Sequence, residues 1–173
     1  MKLLETLTHF NGGSSVSELC EKFSEIASVF LYGGYIDVNN MYKIYIKTVE
    51  FYFHSETENG VHDPIVYHRN KNEQEIPYFP LMTIHAHNSG FDITFESESG
   101  KYRASALIRS YEVKKGENTV SAEAKLANLK IAVNYHETIR SNYSDYYVMV
   151  RHNTYQGKSL KFSKNETRSG YMP

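Results

Sequence analysis

Glu50 closes an otherwise apolar run, IYIKTVEFYF over residues 44–53. Strict alternation along a strand puts Ile44, Ile46, Thr48, Glu50 and Tyr52 on one face, and Lys43, Tyr45, Lys47, Val49, Phe51 and Phe53 on the other. A carboxylate at the end of an apolar face is costly unless it is paired or hydrogen-bonded. Either that face meets solvent, or Glu50 belongs to a site, where a carboxylate can take a proton from water. His85 and His87 are two apart and share a face, a spacing that suits two metal ligands. A third would come from His54, His62, His68, Glu96 or Glu98. The ordinary reading of two such histidines is a surface or hydrogen-bonded role, and no metal is assigned. From residue 140 onward Arg140, Arg151, Lys158, Lys161, Lys164 and Arg168 face only Asp145 and Glu166. Interleaved with Tyr155, Phe162 and Tyr171, these cations suit a phosphate backbone or, equally, a solvated chain end.

The chain has 173 residues, enough for one domain with a substantial core. Its 19 basic and 20 acidic residues nearly cancel, which sets it apart from strongly basic nucleic-acid binders, so any such surface must be local. The single cysteine, Cys20, excludes an internal disulfide framework and fits a reducing compartment. No signal peptide or membrane-spanning run is read, and a cytoplasmic location is expected.

The elements that must position these residues follow from periodicity. Residues 15–31 read as an amphipathic helix with Leu19, Phe23, Ile26, Ala27 and Phe30 on one side. Ser15 and Glu18 have the form of a capping box, and Gly33 and Gly34 end the segment. Residues 35–38 and 42–53 read as strands joined at Asn39–Asn40. Residues 54–77 form a long polar loop, of the kind that often carries function. Residues 81–87 and 91–97 read as a hairpin turning at Asn88, Ser89 and Gly90. A strand over 104–113, a helix over 121–134, a strand over 145–152 and a short strand at Leu160–Phe162 complete the order. This is an α+β domain on a mostly antiparallel, curved sheet or open barrel, with an N-terminal helix and one or two others. It spans 1–173, with 1–14 as a flexible arm.

In this order the chain resembles the alkyladenine (3-methyladenine, or methylpurine) DNA glycosylase family, as a divergent member. TVEFY (48–52) is similar to the family's E-V/T-E-A-Y strand end, and ALIRSYEV (106–113) to its V-L-L-R-A-L-E-P strand. AKLANLKIA (124–132) is similar to its G-K-L-x-x-A-L-G-I helix, and GKSLKF (157–162) to its x-K-P-L-R-F segment. The resemblance runs from about residue 19 onward. It implies excision of a damaged purine flipped out of double-stranded DNA. Glu50 would hold and deprotonate the attacking water, Arg109 would orient Glu50, and Tyr52 would stack on the base. Such chemistry suits a carboxylate, because the sugar becomes oxocarbenium-like as the bond breaks.

The sequence departs from that family at three places. Asn88 and Ser89 stand where the family's hairpin carries an aromatic wedge, with Phe91 or His87 as substitutes nearby. Either Tyr67 or His68 stands for the family's base-contacting histidine. Glu123 and Ala124 replace its Gly-Pro before the helix. The expectation is a monomeric, cofactor-free N-glycosylase. Glu50 and Arg109 would be catalytic; Tyr52, Tyr67, His68 and His87 would meet the base; Arg69, Lys158, Lys161 and Lys164 would meet the DNA backbone. The alternatives are an inactive or non-enzymatic aromatic-groove binding module and, behind it, a histidine-based metal-binding protein.

Overall fold

The computed structural model describes residues 3–71, 73–87, 90–120, 134–137, 146–152 and 158–164; for Ala86, His87 and the last three stretches only the backbone is described. Among the described residues, helices α1 (Leu3–His9) and α2 (Val16–Tyr32) precede nine strands: β1 (Gly34–Val38), β2 (Tyr42–Ser55), β3 (Ile84–His87), β4 (Gly90–Thr94), β5 (Tyr102–Lys115), β6 (Asn118–Val120), β7 (Asn134–Glu137), β8 (Tyr146–His152) and β9 (Lys158–Lys164). All pairings are antiparallel. The sheet curls into a half-barrel, and the α+β architecture is the expected one. The helix read over 121–134 lies outside the described residues, apart from Asn134, which opens β7. Among the described residues no helix is long and apolar enough to cross a membrane.

Two long strands organise the sheet. β2 and β5 pair along almost their whole length, from Tyr42↔Lys115 to Ser55↔Tyr102. The outer edge of β2 takes β1 near its start and β9 further on, and that of β5 takes β6 at one end and β4 at the other. Asn39 and Asn40 join β1 to β2 with φ of 56° and 55°. Asparagine tolerates this left-handed backbone, and the pair makes the tight turn the sequence suggests.

Helix α2 begins at the expected Ser15 cap, with the return bond of Glu18 falling on Ser14 rather than Ser15, and covers one face of the sheet. The Ser15 side chain accepts from the Glu18 amide at 3.2 Å, while the Glu18 carboxylate accepts from the Ser14 amide at 2.9 Å. The Glu18 carboxyl is held well below its usual range, to about 2, chiefly by its bond to Lys22 and then by Ser14. Phe23 of α2 stacks on Phe51 of β2 at 4.8 Å, and Phe30 meets Phe51 edge-on. Phe10 joins this aromatic core and carries the opening residues with it. Leu3 and Leu7 of α1 are buried, and Tyr102 donates to the Phe10 carbonyl at 2.8 Å. The stretch expected to be an arm therefore holds a packed helix.

The alternation assumed for β2 is broken. Its register with β5 shifts between Ile46 and Thr48 and again between Thr48 and Val49. Before the irregularity the core takes even residues, Ile44 and Ile46. After it the core takes odd ones, Val49, Phe51 and Phe53. β5 changes in step, from Ala104, Ala106 and Ile108 to Val113. Glu50 is therefore not on the face of Ile44 and Ile46. It lies with Tyr52 and His54 on the face turned away from α2, because each strand has one extra residue at the irregularity.

That second face is covered by the long loop between β2 and β3, and the loop is fastened by Arg103. Fully buried, Arg103 donates through Nε to Glu56 at 2.9 Å, through one terminal nitrogen to the Pro77 carbonyl (3.1 Å) and Glu96 (3.2 Å), and through the other to Asn70 (3.2 Å) and the Ile76 carbonyl (2.6 Å). All five N–H donors of the guanidinium are used. Tyr78 lays its ring over it, 3.5 Å from Cζ. The near leg of the loop is tied at His54, whose Nδ1 accepts from the Asp63 amide at 3.1 Å. Asp63 accepts from the Ile65 amide at 3.0 Å, turning the chain toward the sheet. Burial pushes the Asp63 carboxyl up to about 6, against smaller opposing effects from the Ile65 amide and Arg69.

Two outcomes test this account. Arg103→Met should lower stability by about 3–5 kcal/mol in urea unfolding, because it leaves Glu96 and Glu56 buried without their cation. An Arg103→Met protein as stable as wild type would dismiss the clamp. For Asp63 the folded-state value is raised, so its contribution to stability is complete below about pH 4 and lost as pH rises through about 6. Asp63→Asn keeps the bond to Ile65 and does not ionise. Its stability relative to wild type should rise between pH 4 and pH 7 by roughly 2 kcal/mol; parallel pH profiles would refute the assignment.

Candidate functional site

The polar face and its covering loop form a cavity of about 160 Å³ that opens to solvent. The sheet supplies Tyr52 from β2, Asp92 from β4, and Ser105, Leu107 and Arg109 from β5; the loop supplies Ile65, Val66, Tyr67 and His68. The wall mixes two tyrosines and a histidine with aliphatic and charged side chains.

The sheet register explains the grouping. Glu50, Leu107 and Asp92 form one row across β2, β5 and β4, and Tyr52, Ser105 and Thr94 form the next. Residues paired across strands share a face, so these side chains gather wherever one of them opens into the cavity. The same face carries Arg103, which lies opposite His54.

Glu50 and Arg109, read 59 positions apart in the sequence, meet here: Arg109 Nε lies 3.7 Å from Glu50 Oε2. The Tyr52 hydroxyl donates to the same oxygen at 2.9 Å. Glu50 is 3% exposed, and its Oε1 is buried with no hydrogen-bond partner among the described residues. Arg109 is far more open, with 36% of its side chain exposed. Glu50 itself does not line the cavity; Tyr52 and Arg109, which both contact it, do. Burial, with the Glu50 charge adding to it, pushes the Tyr52 hydroxyl well above its ordinary range, so it remains a donor to Glu50.

The opposite wall comes from the loop. Tyr67 hydrogen-bonds Asp92, and burial, then the Asp92 charge, raises its hydroxyl in the same way. The Tyr67 ring lies 4.7 Å from that of His68 and 5.4 Å from that of His85, while Phe79 meets both histidines. His68 Nδ1 is paired with Glu96 Oε1, and both side chains are buried. Glu96 Oε2 in turn accepts from Arg103 and from the Phe79 amide, the latter at 2.9 Å. The Arg103 clamp thus reaches the cavity wall through Glu96 and His68.

The remaining sequence expectations fall as follows. Tyr67 and His68 both line the cavity. Arg69 turns back on the loop and donates to the Val66 carbonyl at 2.7 Å. Lys158, Lys161 and Lys164 lie on β9, where Lys161 pairs with Glu50 in backbone register. Their side chains, that of His87, and the tip residues Asn88 and Ser89 lie outside what is described. His85 sits among aromatic rings, and among the described residues no three metal-ligating side chains converge. The sequence reading missed Asp92 as a cavity residue, and Glu96 and Arg103 as its buttress. Asp92 carried a faint signal, since it alternates with Phe91 and Ile93 in a strand with an apolar face.

No curated protein and no solved structure matches the chain. A family model described as "Domain of unknown function (DUF4493)" matches residues 83–173, from the start of the β3–β4 hairpin through β5 to the final residue. That span supplies Asp92, Ser105, Leu107 and Arg109 of the cavity lining, with Glu96 and Arg103 behind it, while Glu50, Tyr52 and the covering loop precede it. The match takes in just over half of the residues, and the chain belongs to the DUF4493 family.

Proposed function

We propose that the cavity receives a purine-type base extruded from DNA, and that the protein hydrolyses its N-glycosidic bond. The observation that carries this reading is Glu50: a buried carboxylate with one oxygen held by Tyr52 and Arg109, beside a cavity to which Tyr52 and Tyr67 contribute aromatic walls. A base must leave the stack before its glycosidic bond can be reached, and aromatic walls suit an unstacked base. Positive charge develops on the sugar as the bond breaks. A fixed carboxylate both favours that charge and takes the proton of the attacking water. Arg109 and Tyr52 orient the carboxylate by binding one oxygen, which leaves Oε1 for water. The resemblance of TVEFY and ALIRSYEV to glycosylase strands supports the same assignment.

A second reading, binding without turnover, draws on one observation. Glu50 does not line the cavity, so water reaches it only if Tyr52 or Arg109 moves aside. Turnover separates the two readings. Duplex oligonucleotides carrying hypoxanthine, ethenoadenine or 3-methyladenine should accumulate abasic sites with the wild-type protein. Glu50→Gln should slow this by about 10²–10⁴-fold while keeping oligonucleotide affinity, since the lost group acts on water. Binding with no abasic sites would establish the second reading, and excision indifferent to Glu50→Gln would remove the mechanism.

A further inference from the structure

Asp63 ties the near leg of the covering loop to the sheet and also shapes the cavity wall that follows it. Its amide donates to His54 Nδ1 on β2 at 3.1 Å. Its Oδ1 accepts from the Ile65 amide at 3.0 Å, and its carbonyl accepts from the Val66 amide at 3.3 Å. Ile65 and Val66 both line the cavity. Yet the Asp63 side chain is buried, and its Oδ2 has no hydrogen-bond partner among the described residues. A protonated carboxyl sits in such a place at modest cost. An ionised one favours any arrangement that brings Oδ2 to water. The nearby cation is Arg69, and its guanidinium is already engaged with the Val66 carbonyl at 2.7 Å. The stretch that Asp63 seats is short and held at both ends. Before it, the Val61 carbonyl accepts from the Ser55 amide at 2.8 Å; after it, Tyr67 bonds Asp92 and His68 bonds Glu96.

We infer that Asp63 is a proton-operated latch on the cavity wall: carrying its proton, it seats residues 62–66 against the sheet, and losing the proton releases them. This holds whatever the cavity binds. Burial raises the carboxyl to about 6, so the closed form prevails below that pH and the wall opens as pH rises through it. The other groups that face the tie do not undo it. His54 Nδ1 stands 3.1 Å from both the amide nitrogen and the carbonyl oxygen of Asp63, so it accepts from the one or, once protonated, donates to the other. Burial also keeps His54 below its ordinary range, although the Glu56 carboxylate lies 3.9 Å from its Nε2. His62 meets the His54 ring edge-on at 5.2 Å and hydrogen-bonds the Glu58 carbonyl, outside the tie. Arg103, opposite His54 on β5, is taken up by Glu56 and the far leg of the loop. With both ends of the stretch fastened, its release is a local event and not an unfolding of the sheet.

Amide hydrogen exchange of Ile65 and Val66 in the full-length protein reads the latch. Taking the ratio to Asp63→Asn at each pH removes the intrinsic pH dependence of exchange. On that ratio, wild-type opening should grow by roughly 50-fold between pH 4 and pH 7. The opening should respond little to low urea, and the core amide of Phe51 should exchange far more slowly. A flat ratio would overturn the latch. So would exchange of Ile65 and Val66 only in step with Phe51 and with the same urea dependence, because Asp63 would then act on the whole fold. A measurement on the unmutated protein decides the matter even if Asp63→Asn does not fold. The ¹³C signal of the Asp63 carboxyl should titrate at about 6, and the Ile65 amide shift should follow with the same midpoint. Titration at the ordinary aspartate value of about 3.9, or an Ile65 amide indifferent to it, would refute the assignment.

Discussion

Arg103 holds the polar half of this molecule together. A loop of more than twenty residues with almost no regular secondary structure has few backbone partners of its own, and burying such a segment leaves carbonyls to be satisfied. Arg103 supplies donors to two of those carbonyls, at Ile76 and Pro77, and to the side chains of Asn70, Glu56 and Glu96. Lysine offers a compact point charge and could not reach this spread of acceptors in one plane. The arrangement also explains how a guanidinium with no solvent exposure is tolerated. Its charge is matched by two carboxylates, every N–H is bonded, and Tyr78 covers its face. The cavity wall made by Ile65 to His68 is held between this clamp and the nearer ties of His54 to Asp63 and of Asp63 to Ile65.

The paired irregularities in β2 and β5 have the second large effect. A single extra residue in one strand would throw the two strands out of step and expose one apolar set. Here both strands shift and the register recovers by Val49↔Ile108. Faces are exchanged without losing the pairing. Ile44, Ile46 and Val113 thus share one core with Val49, Phe51 and Ile108, although their positions differ in parity. Glu50, Tyr52, Ser105 and Leu107 are turned to the other side. Without that exchange Glu50 would point into the aromatic core beneath α2.

What the sequence made legible was whatever depends on near neighbours. The 3.6-residue period of α2, its Ser15 cap, the Asn39–Asn40 turn and the β3–β4 hairpin are all written within a few residues. The face of Glu50 was read wrongly because alternation presumes an unbroken ladder. The break is a property of two strands about sixty residues apart, not of either alone. The packing of α1 was hidden for a similar reason, since Leu3 and Leu7 are too few to announce a helix without α2 to receive them. Arg103 was invisible because its acceptors are scattered from Glu56 to Glu96. The meeting of Glu50 with Arg109 was expected only through the glycosylase resemblance; spacing alone did not predict it.

The two faces divide the physical demands between them. On the helix side, Phe10, Phe23, Phe51, Phe53, Phe95 and Tyr102 pack ring against ring, with no charged group in the cluster. Close aromatic packing of this kind contributes area burial and a further increment for ring geometry. On the loop side, Glu50, His54, Asp63, His68, Asp92, Glu96 and Arg103 are buried together. Replacing such a charged cluster by apolar groups of the same shape is commonly neutral or stabilising, so the cluster does not account for the fold. Of its members Asp92 and His68 line the cavity, Glu50 lies behind Tyr52 and Arg109, and Glu96 and Arg103 stand behind His68. A stable apolar half lets the same sheet carry, on its reverse, an arrangement that stability by itself would not select.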